Sequence, residues 1–345
     1  MTAWVMLLPL TALCSVLLCI VYRQLALRFH LLDTPNQRSS HQSPTPNGAG
    51  VAILFSFVFA LVAASSDQFS MPAIGWAEPY VFIALFALAL SLLGVVDDVV
   101  SLSVRLRFTI YALVCLVSVL MLLGGSGVLG AEFAVSSLTA YRLAVVAGTA
   151  FGLLWLVNLY NFMDGIDGIA AVQTVSVCTF AAGLAYLSGS GEQYVLYCLL
   201  LAAAHAGFLV LNWQPAKLFM GDAGSIATGF TVGALIVYGA VTQALNPLCW
   251  LILLAVFLVD ASWTLAWRVT TGQPFTQAHR THAYQRLSRH FGSHAKVDLI
   301  LLAINGLWLA PLALAVVAWP QHGLILVILA YLPLLAGMAN IRRFT

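Results

Sequence analysis

Charge is scarce in this sequence. Only 8% of its 345 residues are Asp, Glu, Lys or Arg, against 62% that are hydrophobic. A soluble domain carries roughly 25% charged residues. A chain with so few has no means of covering a water-facing surface, so its main solvent is lipid. CxxC pairs are absent, and the six cysteines (Cys14, Cys19, Cys115, Cys178, Cys198, Cys249) all lie inside apolar runs. That argues against a disulfide framework or a zinc site and for small buried hydrophobes. There is no HExxH motif, no internal repeat, no low-complexity segment and no soluble domain. Basic residues are missing ahead of the first apolar run, Ala3–Tyr22, and begin only with Arg23 and Arg28 behind it. This is the wrong polarity for a cleaved leader, and the run is expected to be a first transmembrane helix.

What is present is a series of long apolar runs. A hydrocarbon core about 30 Å thick needs about 20 apolar residues per helix, and about eleven segments qualify. They are Ala3–Tyr22, Gly48–Ser65, Pro79–Val96, Phe108–Gly124, Tyr141–Leu159, Ile169–Ser188, Tyr194–Trp213, Ser225–Val241, Pro247–Arg268, Val297–Ala318 and Gly323–Ile341. Barrel strands would alternate in and out instead. The expected fold class is therefore all-α: a polytopic membrane helix bundle, read as a single domain over 1–345.

When the loops between these segments are alternated, every Lys and Arg except Arg142 falls on one side. Basic loops stay cytoplasmic, so the N-terminus is expected outside (periplasmic) and the C-terminus inside. Asp67, Glu78, Glu132 and Glu192 fall on the outer side. The longest polar stretches, Arg23–Asn47 and Val269–Lys296, are both expected to be cytoplasmic. The chemistry is expected in the loops 23–47, 97–107, 158–168, 213–224 and 269–296.

Ionisable residues at the ends of membrane segments default to a functional reading. Three acidic groups stand at the basic face. Asp97 and Asp98 are adjacent in GVVDDVVSLSVRLRF, and their mutual repulsion calls for a metal or a cation, with Arg105 and Arg107 nearby. In NLYNFMDGIDG, Asn158, Asn161, Asp164 and Asp167 recur every third residue. On a helix that spacing winds back by about 60° per step, so the four sweep half the circumference and line a cavity rather than a lipid face. Asp164 and Asp167 could also simply cap the helix that follows. Asp222 lies between glycines in LFMGDAGS, where a metal and phosphates have room to approach. His279, Arg280 and His282 fall in the largest loop, within QAHRTHAYQRLSRHFGSH, as candidate phosphate contacts. Arg289, His290, His294 and Lys296 read as an amphipathic stretch resting on anionic headgroups. Arg38, Ser40 and His41 are further candidates in the turn-rich loop DTPNQRSSHQSPTPNGAG. Carboxylates with basic groups on the cytoplasmic face suggest Mg²⁺-assisted phosphoryl chemistry, with a nucleotide-activated donor from the cytoplasm and an acceptor from the lipid.

Five of these motifs, in order, resemble the polyprenyl-phosphate N-acetylhexosamine-1-phosphate transferases, a group that includes phospho-N-acetylmuramoyl-pentapeptide transferase. They are the loop Asp33 to His41 with PTPNGAG, then GVVDD, NLYNFMDGIDG, FMGDAGS and HRTHAYQRL. The likeness is greatest to the WbpL-like branch that initiates O-antigen.

The resemblance implies a bacterial inner-membrane enzyme. It would pass an N-acetylhexosamine 1-phosphate from a UDP-sugar to undecaprenyl phosphate, release UMP, and begin O-antigen or a related surface polysaccharide. It implies Mg²⁺, with Mn²⁺ as a substitute, on Asp222 with Asp164. It implies Asp97 and Asp98 at the lipid phosphate. Asn161, Asp164 and Asp167 would form the nucleotide and metal-proximal set, Phe219 would stack on uracil, and Arg280 and His282 would meet the donor pyrophosphate and sugar. Arg105 and His41 join them as substrate contacts. UDP-GlcNAc, UDP-FucNAc and UDP-QuiNAc are all candidate donors, and a homodimer is implied.

The chain departs from the family pattern in three places. Asn47 stands where a basic residue is usual, Tyr284 and Gln285 follow His282 in place of further histidines, and Arg105 replaces a lysine after the aspartate pair. These departures bear on the sugar, not the reaction. A transporter or flippase for lipid-linked sugars is the alternative, but it would place charges near the midplane, often in repeated halves. A CDP-alcohol phosphotransferase would need an Ala-Arg pair after the first Asp-Gly, which Asp164-Gly165-Ile166-Asp167-Gly168 lacks.

Overall fold

The computed structural model describes residues 3–35, 43–65, 79–124, 140–273 and 280–341. Helices dominate. In chain order they are α1 (Leu7–Arg28), α2 (Gly50–Ala64), α3 (Pro79–Val100), α4 (Val104–Gly124), α5 (Ala140–Met163), α6 (Ile169–Leu187), α7 (Glu192–Asn212) and α8 (Gly221–Val241). There follow α9 (Pro247–Leu253), α10 (Ala255–Thr270), α11 (Ala283–Phe291), α12 (His294–Ile304), α13 (Ala310–Ala318) and α14 (Gly323–Ile341). Two short strands, β1 (Leu32–Asp33) and β2 (Thr45–Pro46), pair antiparallel, with Leu32 opposite Pro46.

Among the described residues, eight helical stretches are long and apolar enough to cross a membrane, and α9 with α10 makes a ninth if the bent pair counts as one span. Two shorter apolar helices, Gly50–Ala64 and Val81–Asp97, complete the set. The chain is an all-α polytopic membrane protein. Each expected apolar segment overlaps one of these helical stretches, but the helices at Gly48–Ser65 and Pro79–Val96 fall short of a full span by length, and Pro247–Arg268 is a bent pair. All cysteines except Cys14 are buried.

Burial sorts the helices into centre and rim. In α6, α7 and α8, 72% of the membrane-length window is buried, against 11% for the stretch containing α14. α8 packs on α3 and α5, and α7 packs on α1 and α6. The start of α8 is gripped closely. A Cβ on Gly50 of α2 would fall 2.1 Å from the Gly224 Cα, and one on Gly94 of α3 would fall 2.4 Å from the Ala223 N. Only glycine at these crossings lets the backbones meet.

At the site, several helices run further than the apolar segments. α3 continues to Val100 and α4 begins at Val104, so the expected loop 97–107 shrinks to 101–103, with Asp97 and Asp98 on α3 and Arg105 and Arg107 on α4. α5 reaches Met163 and takes Asn158 and Asn161 out of the expected loop 158–168. α8 starts at Gly221, within the expected loop 213–224. The expected loop 269–296 holds the end of α10, all of α11 and the start of α12. Hydropathy marks where apolar side chains end, but backbone hydrogen bonding carries α3, α4, α5 and α8 further, to where polar side chains meet one another.

The expected straight span Pro247–Arg268 is broken. α9 and α10 meet at 70° around Leu254. Neither proline nor glycine stands there. The Gln173 side-chain amide instead donates to the Leu253 carbonyl at 3.3 Å, and Asn305 donates at 2.8 Å to Gln173 and at 2.8 Å to Ser176. Asn305 opens a π-helical turn, Asn305–Leu309, between α12 and α13. A backbone carbonyl left over at a break in apolar surroundings needs a partner, and Gln173 supplies it.

Candidate active site

Four helix ends converge on Asp222. It lies in the first turn of α8, after Gly221, whose φ of +65° suits glycine. Asn161, near the end of α5, donates to Asp222 Oδ1 at 2.7 Å and to Ser225 Oγ at 3.1 Å. Arg107, from the first turn of α4, donates from one Nη1 to Asp222 Oδ2 at 3.2 Å and also pairs with Asp97 Oδ2 of α3. Asp97 Oδ1 accepts the Leu102 N–H at 2.8 Å, which holds the tight α3–α4 turn. Asp97, Arg107, Asp222 and Asn161 thus form one chain of charge-assisted hydrogen bonds, and such bonds are the stronger kind. Asp97 is nearly buried, whereas Arg107 and Asp222 keep about a quarter to a third of their side chains open (27% and 31%).

The turn between α5 and α6 carries Asp164 and Asp167. Burial, and then the carboxylates of Asp222 and Asp167, push the Asp164 carboxyl up to about 7. Asp167 Oδ2 accepts the Ala216 N–H at 3.0 Å, and Oδ1 faces His294 Nδ1 at 3.3 Å. Gly168, at φ +85°, donates its N–H to Asn212 Oδ1 at 2.9 Å. Phe219 is fixed by its backbone, donating to Pro46 of β2 at 2.8 Å and accepting from Ala49 at 3.0 Å. Phe219, Asp167, Thr45, Arg280, Arg289 and His294 line a cavity of about 590 Å³.

α11 closes this side. Asp260 of α10 accepts both N–H groups at its start, Ala283 at 2.9 Å and Tyr284 at 3.0 Å, and also meets His282 Nδ1 at 3.1 Å. The helix is thereby capped by a residue more than twenty positions away. Its Tyr284 hydroxyl donates to the Phe162 carbonyl at 3.0 Å, and a Cβ on Gly165 would fall 2.2 Å from that hydroxyl. Arg280, Arg286 and Arg289 crowd together: burial, then Arg286 and Arg280, lower the Arg289 guanidinium from its ordinary value. Such crowding favours an anion.

Several expectations change here. His282 is 5% exposed and its Nδ1 meets Asp260, which ties it to the start of α11. Arg105 is exposed, and Arg107 is the arginine that joins the carboxylates. Two residues apart on a helix point about 200° apart, so only one of them can face inward. Asn158 spends its amide on the Leu154 carbonyl of its own helix, at 2.7 Å. Arg289 and His294, expected on headgroups, line the cavity instead. Arg38, Ser40, His41 and His279 lie outside the described residues, as does the Asp98 side chain.

Sequence reasoning missed Asp260 and Asp298, each a lone acid inside an apolar run. The rule that flagged the three acidic motifs would have found both. It also missed Asn212 and Gln214, which carry no charge to mark them.

Among the described residues no three His, Cys, Asp or Glu side chains gather as a ready-made metal cage. Magnesium does not require one, since one or two carboxylates with substrate phosphates suffice. The hard oxygens of Asp222 and Asp164 fit that demand, and burial together with mutual repulsion gives Asp164 a reason to accept a cation.

The sequence model of glycosyl transferase family 4 matches residues 80–240, which contain the α3–α4 turn, the Asp164–Asp167 turn and Asp222. A decaprenyl-phosphate N-acetylglucosaminephosphotransferase of Mycobacterium tuberculosis (strain CDC 1551 / Oshkosh) is 30% identical over 316 residues, 81% of this chain and 74% of its own. The chain belongs to this family. Two further members of similar reach are a probable undecaprenyl-phosphate N-acetylglucosaminyl 1-phosphate transferase of Bacillus subtilis (strain 168) and an undecaprenyl-phosphate alpha-N-acetylglucosaminyl 1-phosphate transferase of Yersinia pestis. The first is 27% identical over 292 residues (83% of this chain, 77% of that one) and the second 28% over 294 (82% and 76%). Family membership makes the cluster around Asp222 the candidate centre of a sugar-phosphate transfer.

Proposed function

We propose that this chain transfers an N-acetylhexosamine 1-phosphate from a UDP-sugar to undecaprenyl phosphate, releasing UMP. The observation that carries this reading is Arg107, tied to Asp97 and Asp222 from a third helix, with Asp164 feeling the charge both of Asp222 and of Asp167, which lines the cavity with Phe219 and Arg280. The named relatives act on polyprenyl phosphates and N-acetylglucosamine phosphate. The basic residues cluster at the helix ends that carry the site, which supports a cytoplasmic active site in the bacterial inner membrane with eleven spans. Initiation of O-antigen or a related polysaccharide, membership of the WbpL-like branch and a homodimer belong to the same reading. The donor is UDP-GlcNAc or its FucNAc or QuiNAc counterpart.

In the proposed reaction an oxygen of the lipid phosphate forms a bond to the sugar-bearing phosphorus of the donor. The bond from that phosphorus to the UMP oxygen breaks, and UMP leaves with the electron pair. The second pKa of a phosphate monoester is near 6, so the nucleophile arrives largely ionised and needs orientation more than a strong base. Arg107 keeps N–H groups beyond those it gives to Asp97 and Asp222, since a guanidinium has five, and these orient the incoming phosphate. Asp97 and Asp222 hold the guanidinium in place. Asp98 is assigned to the lipid phosphate with Asp97. Asn161 fixes the Asp222 carboxylate, Phe219 offers a face for uracil, and Arg280 and Arg289 take the pyrophosphate charge. Asp222 and Asp164 would hold Mg²⁺ or Mn²⁺, whose positive charge would offset that of the pyrophosphate.

The test is UMP release by purified protein given undecaprenyl phosphate, Mg²⁺ and a panel of UDP-N-acetylhexosamines. Magnesium-dependent UMP with one donor supports the reading and names the sugar. Folded protein that releases none with any donor contradicts it.

A further inference from the structure

α12 brings two titratable side chains to the turn that holds Asp167, and neither has a place in the transfer described above. They are His294 and Asp298, one helical turn apart. His294 Nδ1 lies 3.2 Å from the Asp167 backbone N and 3.3 Å from Asp167 Oδ1. The other carboxylate oxygen accepts from Ala216 at 3.0 Å. Nδ1 accepts the Asp167 N–H, so Asp167 is held at its backbone by His294 and at its carboxylate by Ala216, from two segments far apart in sequence. Each oxygen has a second lone pair, so the pinned group still accepts from the cavity it lines beside Phe219.

The holders are themselves held together. Gln214 Oε1 accepts from the Ser293 hydroxyl at 3.0 Å and from the Ala295 N–H at 2.8 Å. Ser293 is the N-cap of α12 and accepts from Lys296 N. The segment that sends Ala216 to Asp167 is thus the one that caps the helix bearing His294. Asp298 is 0% exposed, and neither of its oxygens has a hydrogen-bond partner among the described residues. A Cβ on Gly168 would fall 2.5 Å from Asp298 Oδ2. Asp298 therefore stands directly behind the turn and leaves it no room to retreat. Leaving a buried carboxyl without a partner is costly, which favours a role over chance.

A fixed acceptor beside an aromatic face suits a planar base that stacks and donates one edge N–H. We propose that His294 is a positioning residue of the donor site, accepting the Asp167 N–H and so fixing the turn that presents the Asp167 carboxylate to the base of the nucleotide, with Asp298 backing the same turn. The inference rests on the reading of this cavity as the nucleotide site.

Two substitutions separate the possibilities. H294F keeps a ring and removes both nitrogens, whereas H294N keeps a polar atom near the Nδ1 position. The measurement is equilibrium binding of UMP and of CMP to the purified full-length proteins in detergent with Mg²⁺, alongside KM and kcat for the donor. Wild type is expected to prefer UMP. H294F should bind UMP roughly tenfold more weakly, about 1.4 kcal/mol, and lose most of its preference over CMP, with the loss in KM rather than kcat. H294N should recover most of both. H294F that melts like wild type and keeps its UMP affinity and base preference would overturn the inference. If H294F does not fold, H294A, which removes the Nδ1 acceptor without adding a ring, carries the test, and wild-type affinity and preference in it would overturn the inference. Wild type that releases UMP in the transfer assay, yet discriminates no base, would sink this inference alone. Wild type that neither binds nor releases UMP would remove the cavity assignment and this inference with it.

Discussion

The Arg107 guanidinium donates to the Asp222 carboxylate at 3.2 Å, joining residues 115 positions apart. The same nitrogen pairs with Asp97, so one cation holds the starts of α4 and α8 against the end of α3. Losing the cation leaves two partly buried carboxylates facing each other. R107M is expected to lower UMP release by two to three orders of magnitude, of the order seen when one preorganised donor is removed. R107K should retain part of the activity, because it keeps the charge and loses the fork. R105Q, on the outward side of the same turn, should stay within about twofold. Equal losses in R105Q and R107M would show that the structure assigns the wrong arginine.

Asp164 gives a pH signature. Its carboxyl titrates near 7 in the folded protein, against an ordinary value of 3.8. Between those values the folded state holds more protons than the unfolded state, so stability falls as pH rises through the window. In EDTA, wild type should therefore lose thermal stability from pH 4 to 7 relative to D164N, and the gap should be fully open above pH 7. Added Mg²⁺ should narrow it. Parallel melting curves across the window would refute the assignment.

The cap on α11 hangs on one side chain. D260A leaves the Ala283 and Tyr284 N–H groups and the His282 ring without their shared partner. Removing one member of a buried charged cluster costs about 3–5 kcal/mol. Limited proteolysis should then cut between α10 and α12 far faster than in wild type. H282A, which leaves the backbone cap in place, should show a smaller effect. Comparable cleavage of D260A and wild type would mean that α11 is held by packing alone.

At Gly50 there is no space for a side chain, since the nearest atoms are the Gly224 and Ala223 backbone. G50V is expected to abolish the monodisperse peak in size-exclusion chromatography, whereas a substitution at Gly183, with nothing within 4 Å, should not. A well-behaved, active G50V protein would contradict the close crossing of α2 and α8.

Much of this was legible in the sequence. The helices announce themselves because a hydrocarbon solvent demands unbroken apolar runs, and Asp97, Asn161, Asp164 and Asp222 stand out because polar groups are expensive there. The bend at Leu254 was not legible, because the side chain that meets its carbonyl is Gln173, eighty residues away, and no local breaker marks it. The choice between Arg105 and Arg107 depended on where α4 begins, which hydropathy places four residues late. His282 carried the chemistry of a phosphate contact, and the fold sets a buried acid of α10 against its Nδ1. His294 looked like a surface histidine until the fold set it against Asp167.

The most direct test of the proposed transfer follows the phosphorus. A UDP-N-acetylhexosamine labelled at the sugar-linked phosphate is incubated with purified protein, Mg²⁺ and undecaprenyl phosphate, and the label is located. The label is expected in the lipid product, with unlabelled UMP released in equal amount, and R107M should show neither. Labelled UDP in solution with sugar on the lipid would mean that the glycosidic bond breaks instead, and would contradict sugar-phosphate transfer at this site.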